Sequence, residues 1–188
     1  LIIMQKLGLL YPGFFLLVML SAVSSFIFRN SVRSLAKQSF ATARMATMAF
    51  QGVLVSPEEL RQELSSSPGS TVILDSSWHL GGARDGMTEF LEKRIKSAQF
   101  FDINAIADTS SDLPHMLPSE DLFASRVSEM GISNDKNVIV YTTQNCFSAA
   151  RCWWTFKVFG HDKVFLLQGG LPAWEAANGA VEEGAEAA

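Results

Sequence analysis

The segment from residue 137 to residue 154 constrains the fold more than any other part of the chain. It reads Asn-Val-Ile-Val-Tyr, then a short polar stretch, then Ser-Ala-Ala-Arg-Cys-Trp-Trp. The first part predicts a buried strand and the last part predicts a helix, joined by a tight loop. A helix that follows a strand in this way points backbone N–H groups and its positive dipole end at the loop. Such a loop is typical of an α/β domain that holds an anion or an activated nucleophile.

Strand and helix signals alternate over residues 52–183. Ser56, Pro57 and Glu59 predict a capped helix start, because they are the preferred residues at the N-cap, first and third helical positions. Further helices are predicted at residues 88–94, 119–130, 148–159 and 169–174, and strands at 53–55, 71–75, 100–103, 137–141 and 163–167. Strands joined by helices favour right-handed crossovers. The predicted fold class is therefore α/β, a parallel sheet with helices on both faces.

Charge and cysteine content exclude several function classes. The net charge is −4, and the first 57 residues hold five Lys or Arg and no acidic residue, so the remainder carries −9. An acidic domain is a poor candidate for binding nucleic acid. Cys146 and Cys152 do not make a disulfide framework, and the three histidines are not spaced with them as zinc ligands would be. We expect no nucleic-acid partner, no metal and no cofactor.

Residues 1–50 are predicted to be a targeting presequence. Residues 7–28 form an uncharged apolar run of 22 residues, just long enough to cross a bilayer. Lys6 precedes this run, small residues follow it at 21–25, and residues 29–50 are basic and rich in Ser and Ala, as in signal and transit peptides. We predict removal of the presequence in a plastid or mitochondrion; the alternative is that residues 7–28 remain as a membrane anchor. Residues 184–188 are interpreted as a linker or a truncated end.

Short sequence words spread over residues 52–183 resemble those of one family. They are Leu74-Asp-Ser-Ser-Trp-His79, Arg84-Asp85 with Glu89-Phe90, Phe100-Phe-Asp102, Leu113-Pro-His-Met-Leu-Pro-Ser119, Phe147-Ser-Ala-Ala-Arg151, Trp153-Trp154, Val158-Phe-Gly-His161 and Gly169-Gly-Leu-Pro-Ala-Trp174. In this order they resemble a rhodanese domain, and more narrowly the N-terminal domain of two-domain thiosulfate/3-mercaptopyruvate sulfurtransferases. The chain departs from this pattern at Lys96-Ser97, where the family normally has Pro-Gly.

The resemblance implies transfer of a sulfane sulfur. In the family a cysteine thiolate takes this sulfur from a small donor, becomes a persulfide, and passes the sulfur to a thiol or cyanide acceptor. A thiolate is needed because only that form attacks. That cysteine directly follows the strand that ends here at Tyr141, and this chain has Thr142 at the position. Family N-terminal domains usually lack the nucleophile, and a C-terminal rhodanese domain supplies it. The resemblance therefore implies a non-nucleophilic half whose partner is a missing C-terminal domain.

Two alternatives remain open. The chain can be a stand-alone inactive module that binds a partner or an anion through residues 142–147. It can also be a single-domain enzyme that uses Cys146, since a helix N-terminus lowers the pKa of a nearby thiol. We favour the interpretation that Cys146 packs as a small hydrophobe, and that Cys152 lies in the core.

His115 and Arg84 are further candidate site residues. In the mercaptopyruvate branch the histidine that matches His115 is thought to assist proton transfer together with an aspartate. Asn104 stands at that aspartate position, so His115 is either a proton-transfer residue or a hydrogen-bond donor that fixes its loop. Arg84 can face an anionic substrate, although a salt bridge that pins its own loop is the favoured interpretation. His79 and His161 are predicted to be structural.

Overall fold

The computed structural model describes residues 50–144 and 146–184. The predicted presequence up to residue 49, including the apolar run 7–28, lies outside the described residues. Within them, no helix is long and apolar enough to cross a membrane. Phe50, which the sequence assigned to the end of the presequence, is 8% exposed and its ring lies 4.8 Å from that of Phe165. Phe50 is therefore part of the folded domain.

Five strands form a parallel sheet, which confirms the predicted fold class. They are β1 (Leu54–Val55), β2 (Thr71–Asp75), β4 (Gln99–Phe100), β5 (Asn137–Tyr141) and β6 (Val164–Leu167). Their order in the sheet is β1-β6-β5-β2-β4, so β5 is central and β2 lies beside it. The register of this pair places Asp75 opposite Tyr141. The carboxyl ends of β2 and β5 therefore meet at the same edge of the sheet.

Side-chain capping bonds mark the start of three of the five helices in the described part of the chain. The helices are α1 (Pro57–Ser66), α2 (Gly86–Glu92), α3 (Glu120–Glu129), α4 (Ser148–Val158) and α5 (Gly170–Ala176). At α1 the hydroxyl of Ser56 accepts a hydrogen bond from Glu59 N, and the Glu59 carboxylate accepts one from Ser56 N at 2.8 Å. This is the predicted capping box. Gly131 follows α3 with a φ of 68°, which is a conformation that glycine adopts without steric cost.

Two apolar clusters cover the two faces of the sheet. One contains Ile73 and Ile139 together with residues of α1, α2 and α5, including Leu60, Phe90 and Trp174. The other contains the neighbouring strand residues Leu74, Val138 and Val140 together with Phe123 of α3 and Cys152 and Phe156 of α4. Successive strand residues point to opposite faces, which is why β2 and β5 read as continuous apolar runs.

Helix α2 and the segment after it differ from the sequence prediction. The helix begins at Gly86, because Asp85 caps it by accepting a hydrogen bond from Thr88 N, and it ends at Glu92. Arg94, predicted to be helical, instead starts a second, two-stranded antiparallel sheet of β3 (Arg94–Ile95) and β7 (Val181–Glu182). No strand was predicted near Val181, because its pairing partner lies far away in the sequence and a two-residue strand has no periodicity of its own.

The predicted third strand is shorter than expected. β4 ends at Phe100, although Phe101 still donates its N–H to the Asp75 carbonyl at 2.7 Å. The next residues turn away from the sheet, and Asp102 accepts a hydrogen bond from Asn104 N at 2.8 Å. Short polar side chains of this kind compete with strand pairing for backbone groups.

Candidate functional site

The candidate site lies where the chain leaves β2 and β5. Ser76 N donates to the Tyr141 carbonyl at 3.0 Å, and Thr143 N donates to the Ser77 hydroxyl at 2.9 Å. These bonds hold the segment after β2 beside the loop that follows β5, of which the structure describes residues 142–144 and 146–147. In open parallel sheets, ligands bind outside the carboxyl ends of the strands. The sequence analysis predicted the functional loop, residues 142–147, in this part of the fold.

Thr142 stands at the position where the resemblance implies a cysteine. It is 7% exposed, its hydroxyl donates to the Cys146 carbonyl at 3.4 Å, and its own carbonyl accepts a hydrogen bond from Leu171 N at 3.0 Å. A Cβ atom on Gly170 would lie 2.3 Å from the Thr142 carbonyl oxygen, so only glycine permits this contact between α5 and the loop. The expected nucleophile position therefore holds a buried hydroxyl engaged by the loop backbone.

Cys146 is half-buried and its thiol faces the segment after β2. The sulfur lies 3.0 Å from the Trp78 carbonyl oxygen, 3.2 Å from Trp78 N and 2.9 Å from the Ser148 hydroxyl. These surroundings are polar, unlike the apolar packing that the sequence favoured. The reactivity of Cys146 stays a prediction. Cys152 lies in the core as predicted, and its complete burial raises the pKa of its thiol.

The Glu89 carboxylate on α2 gathers three side chains at this edge of the sheet. It lies 2.8 Å from Nε2 of His79, accepts a hydrogen bond of 2.5 Å from Nε of Arg84, and accepts one of 2.7 Å from the Thr143 hydroxyl. Arg84 also donates to the Gln144 carbonyl at 2.9 Å. Partial burial opposes ionisation of Glu89, but the hydrogen bonds from Arg84, Thr143 and His79 outweigh it and lower its pKa to about 2.

The same network accounts for the contacts of Arg84. The guanidinium forms the ion pair within its own segment that the sequence favoured, and it also reaches across to the loop. A direct contact with a substrate stays a prediction. The sequence analysis includes Glu89 only in a motif shared with the family and does not predict its role in this network. Its position could have indicated that role, because Glu89 lies in the first turn of the helix after β2, and β2 pairs with β5, which leads into the loop.

His115 is held mainly through its backbone. Its φ is 56°, Arg151 donates to its carbonyl, and its ring centroid lies 4.7 Å from that of Trp78. The ring atom Nδ1 is buried and has no hydrogen-bond partner among the described residues. The loop is therefore fixed by the carbonyl of His115, whereas the sequence considered its ring for that role. Asn104 is exposed, and a proton-transfer role for His115 stays a prediction.

Two large apolar side chains are exposed beside Trp78 and Arg84. Leu80 is 79% exposed and Phe147 70%. We call these two residues the apolar rim. Leu80 and Phe147 line a cavity of about 240 Å³ together with Trp78, His79 and Arg84. Among the described residues, no cluster of His, Cys, Asp or Glu has the geometry of a metal site.

Residues 56–177 match the family described as Rhodanese-like domain. The chain is 43% identical to thiosulfate/3-mercaptopyruvate sulfurtransferase 2 of Arabidopsis thaliana over 77% of its own length and 42% of the relative's. It is 47% identical to the mitochondrial sulfurtransferase 1 of the same plant over 60% of this chain and 30% of the relative.

A solved structure supports the same relationship. SseA from Escherichia coli, described as a 3-mercaptopyruvate sulfotransferase with the rhodanese fold, superposes with a TM-score of 0.65 at 38% identity. The match covers 72% of this chain and 52% of that one. The chain thus spans less than two thirds of the length of these relatives.

Proposed function

Because the chain belongs to the rhodanese-like domain family of sulfurtransferases, we propose that it is the N-terminal, non-nucleophilic half of a two-domain thiosulfate/3-mercaptopyruvate sulfurtransferase. In this role it forms one wall of an active site whose cysteine belongs to a C-terminal rhodanese domain. The substrates are a small sulfur donor and a thiol or cyanide acceptor.

The observation that carries the proposal is Thr142. Its side chain is buried at the end of β5 and bonded to the loop backbone. A threonine hydroxyl cannot carry a sulfane sulfur, since transfer needs a thiolate. The loop around Thr142 is nevertheless well fixed. It is bonded to α2 through Glu89 and packs closely against α5 at Gly170. Such a fixed but non-nucleophilic site fits a domain that supports chemistry performed by a partner.

The apolar rim supports the same proposal. Leu80 and Phe147 are both exposed where they line one cavity, and adjoining exposed apolar side chains fit a surface that another protein covers. Phe147 packs edge-on against Trp78, which in turn contacts His115, so the rim continues into the candidate site. A domain docked on the rim would enclose the 240 Å³ cavity next to Arg84.

The proposed reaction takes place in two steps. With thiosulfate as donor, the partner domain's thiolate attacks the sulfane sulfur, the sulfur–sulfur bond of thiosulfate breaks, and sulfite leaves with the electron pair. Cyanide or a thiolate acceptor then attacks the outer sulfur of the persulfide and releases the thiolate. This chain would contribute the partly exposed Arg84 guanidinium, which stays paired with Glu89, as a hydrogen-bond donor near an anionic donor molecule, and the loop after β5 as a wall that excludes water.

We also propose that the mature protein works in a plastid or a mitochondrion after removal of the presequence. The composition of residues 29–50 and the mitochondrial relative favour an organelle. The N-terminal sequence of the protein purified from its own cells tests this: a start between residues 29 and 52 agrees, and an intact N-terminus contradicts it.

The main proposal is tested on the transcript and on the purified 188-residue chain. The reading frame past the codon for Ala188 is expected to continue into a second βα domain whose loop begins with cysteine. The purified chain is expected to form no persulfide with thiosulfate or 3-mercaptopyruvate, as judged by intact mass. It is then expected to enhance sulfur transfer by the second domain when the two are joined.

Each alternative has its own outcome in this test. A stop codon after Ala188 together with a persulfide on the chain that is lost in Cys146→Ser would establish a single-domain enzyme and overturn the proposal. A stop codon with no persulfide would instead leave a binding module. The matched control is Cys152→Ser, since that thiol is completely buried and is expected to leave any persulfide unchanged.

A further inference from the structure

The last described residues form a strap over α2. We define the strap as residues 180–184. Lys96 N donates to the Ala180 carbonyl at 3.0 Å, Gly184 N donates to the Leu91 carbonyl at 2.9 Å, and β7 pairs with β3 between these two bonds. The strap is therefore fixed at both ends, once next to β3 and once on the last turn of α2.

Arg94 is the side chain that ties the strap to α2. It is 1% exposed, and its Nη1 donates to the Gly184 carbonyl at 2.7 Å and to the Phe90 carbonyl at 3.4 Å. Its Nε lies 3.6 Å from the Glu182 carboxylate, and the guanidinium carbon lies 5.1 Å from the centre of the Phe90 ring. The planar guanidinium points its N–H groups in fixed directions, so it holds several partners in one arrangement. A lysine ammonium has no such fixed fork and could not make the same set of contacts.

Two short connections lead from these contacts to the loop of residues 142–147. Phe90, which Arg94 contacts, is adjacent on α2 to Glu89, and the Glu89 carboxylate holds Thr143 and Arg84. Ile95, next to Arg94, donates its N–H to the hydroxyl of Tyr141 at 3.2 Å, and Tyr141 directly precedes the loop. Helix α2 is thus bonded to the strap at Leu91 and to the loop at Glu89. Strand β3 pairs with the strap and is bonded to the side chain of Tyr141, the last residue before the loop.

We propose that Arg94 is a positioning residue that couples the strap to the loop of residues 142–147 through α2 and β3. Seating of the strap holds α2 in place, and α2 in turn holds the loop through Glu89. The coupling goes beyond the proposed function, since it does not depend on which reaction or ligand the loop serves. It assigns the strap a part in the site, although the strap's hydrogen bonds among the described residues go to α2, β3, Lys96, Arg94 and Trp174 and not to the loop itself.

Hydrogen–deuterium exchange of the 188-residue chain tests the coupling. In Arg94→Lys, exchange in α2 and in residues 142–147 is expected to rise about tenfold, while α3 and the central strands β2 and β5 keep their wild-type rates. Lys93→Gln is the matched control. The exposed side chain of this neighbour pairs with Glu175 on α5, and the charge of Glu183 in the strap contributes least to its surroundings, so loss of the lysine is expected to leave the loop unchanged.

A second variant and a second readout keep the test decisive. Glu182→Gln removes one contact at the surface side of Arg94 and is expected to give a smaller rise at the same segments. The Glu89 carboxyl, followed by carbon NMR, is expected to titrate at higher pH in both variants, because it loses alignment with its donors. Faster exchange in the strap alone, or an equal rise in β2 and β5, would overturn the proposal.

Discussion

The hydroxyl of Thr143 donates a hydrogen bond of 2.7 Å to Oε2 of Glu89, which joins the loop after β5 to helix α2. The same carboxylate pairs with Arg84, whose guanidinium also holds the Gln144 carbonyl. The loop is therefore tied twice to one ionised side chain. Its conformation should respond to the protonation of Glu89.

The first prediction concerns the acid stability of this network. The pKa of Glu89 is lowered from 4.5 to about 2 in the folded protein, so its contribution to stability is complete above 4.5 and is lost as the pH falls toward 2. The free energy of unfolding should therefore fall less steeply over this window in Glu89→Gln than in the wild type, as measured by urea unfolding. Glu92→Gln, an exposed change at the end of α2, serves as control; equal slopes for Glu89→Gln and wild type would contradict the prediction.

The second prediction concerns His161. Its Nε2 is buried without a hydrogen-bond partner among the described residues, and its ring packs edge-on 5.5 Å from Phe156. Burial lowers the pKa of His161 below 6.5, so the neutral ring adds stability that is present above pH 6.5 and is lost as the pH falls below it. Calorimetry should show that Tm falls from pH 7.5 to 5.5 more in the wild type than in His161→Phe. A parallel decline in both proteins would show that His161 does not titrate in this way.

The third prediction compares two glycines. Gly170 and Gly131 both have positive φ values, of 59° and 68°, but only a Cβ on Gly170 would strike the Thr142 carbonyl, at 2.3 Å. Gly131→Ala should cost about 1 kcal/mol from backbone strain alone. Gly170→Ala should cost roughly 2 kcal/mol more, because the loop must move. Chemical denaturation measures both, and similar losses for the two variants would argue against the close contact.

The fourth prediction is a stabilising change. Ser97 has a φ of 62° at the position where the resemblance expects glycine. Ser97→Gly should raise the free energy of unfolding by roughly 0.5–1 kcal/mol, since glycine adopts this conformation without a steric cost. Ser128→Gly in the exposed part of α3 should have the opposite sign, because glycine in a helix is destabilising. A loss of stability in Ser97→Gly would show that the left-handed turn is not strained.

The fifth prediction concerns the two thiols. Cys152 is 0% exposed and burial raises the pKa of its thiol, whereas Cys146 is half-buried. Under native conditions an aromatic disulfide reagent should therefore modify Cys146 only, and the second thiol should react only after unfolding. Cys146→Ser should abolish the native reaction and Cys152→Ser should preserve it. Release of two equivalents of product from the folded chain would contradict the burial of Cys152.

Residues whose neighbours are local were predicted well. Ser56 and Glu59 interact across one helical turn, and Gly131 ends α3 through its own backbone conformation, so both signals are visible in a few consecutive residues. The continuous apolar runs of β2 and β5 likewise identified strands that are covered on both faces. Arg94 was misassigned because the residues that decide its conformation, Glu182 and Gly184, lie almost 90 positions later in the chain.

The sequence by itself determined the α/β class, the family and the absence of a cysteine at position 142, since periodicity, capping residues and ordered words are properties of the chain. Only the tertiary structure decided that His79, Arg84 and Thr143 share the Glu89 carboxylate, and that Cys146 faces the backbone of Trp78. The physical reason is the parallel sheet. It brings the carboxyl ends of β2 and β5 together. Side chains that are far apart in the sequence can then bond to the same carboxylate.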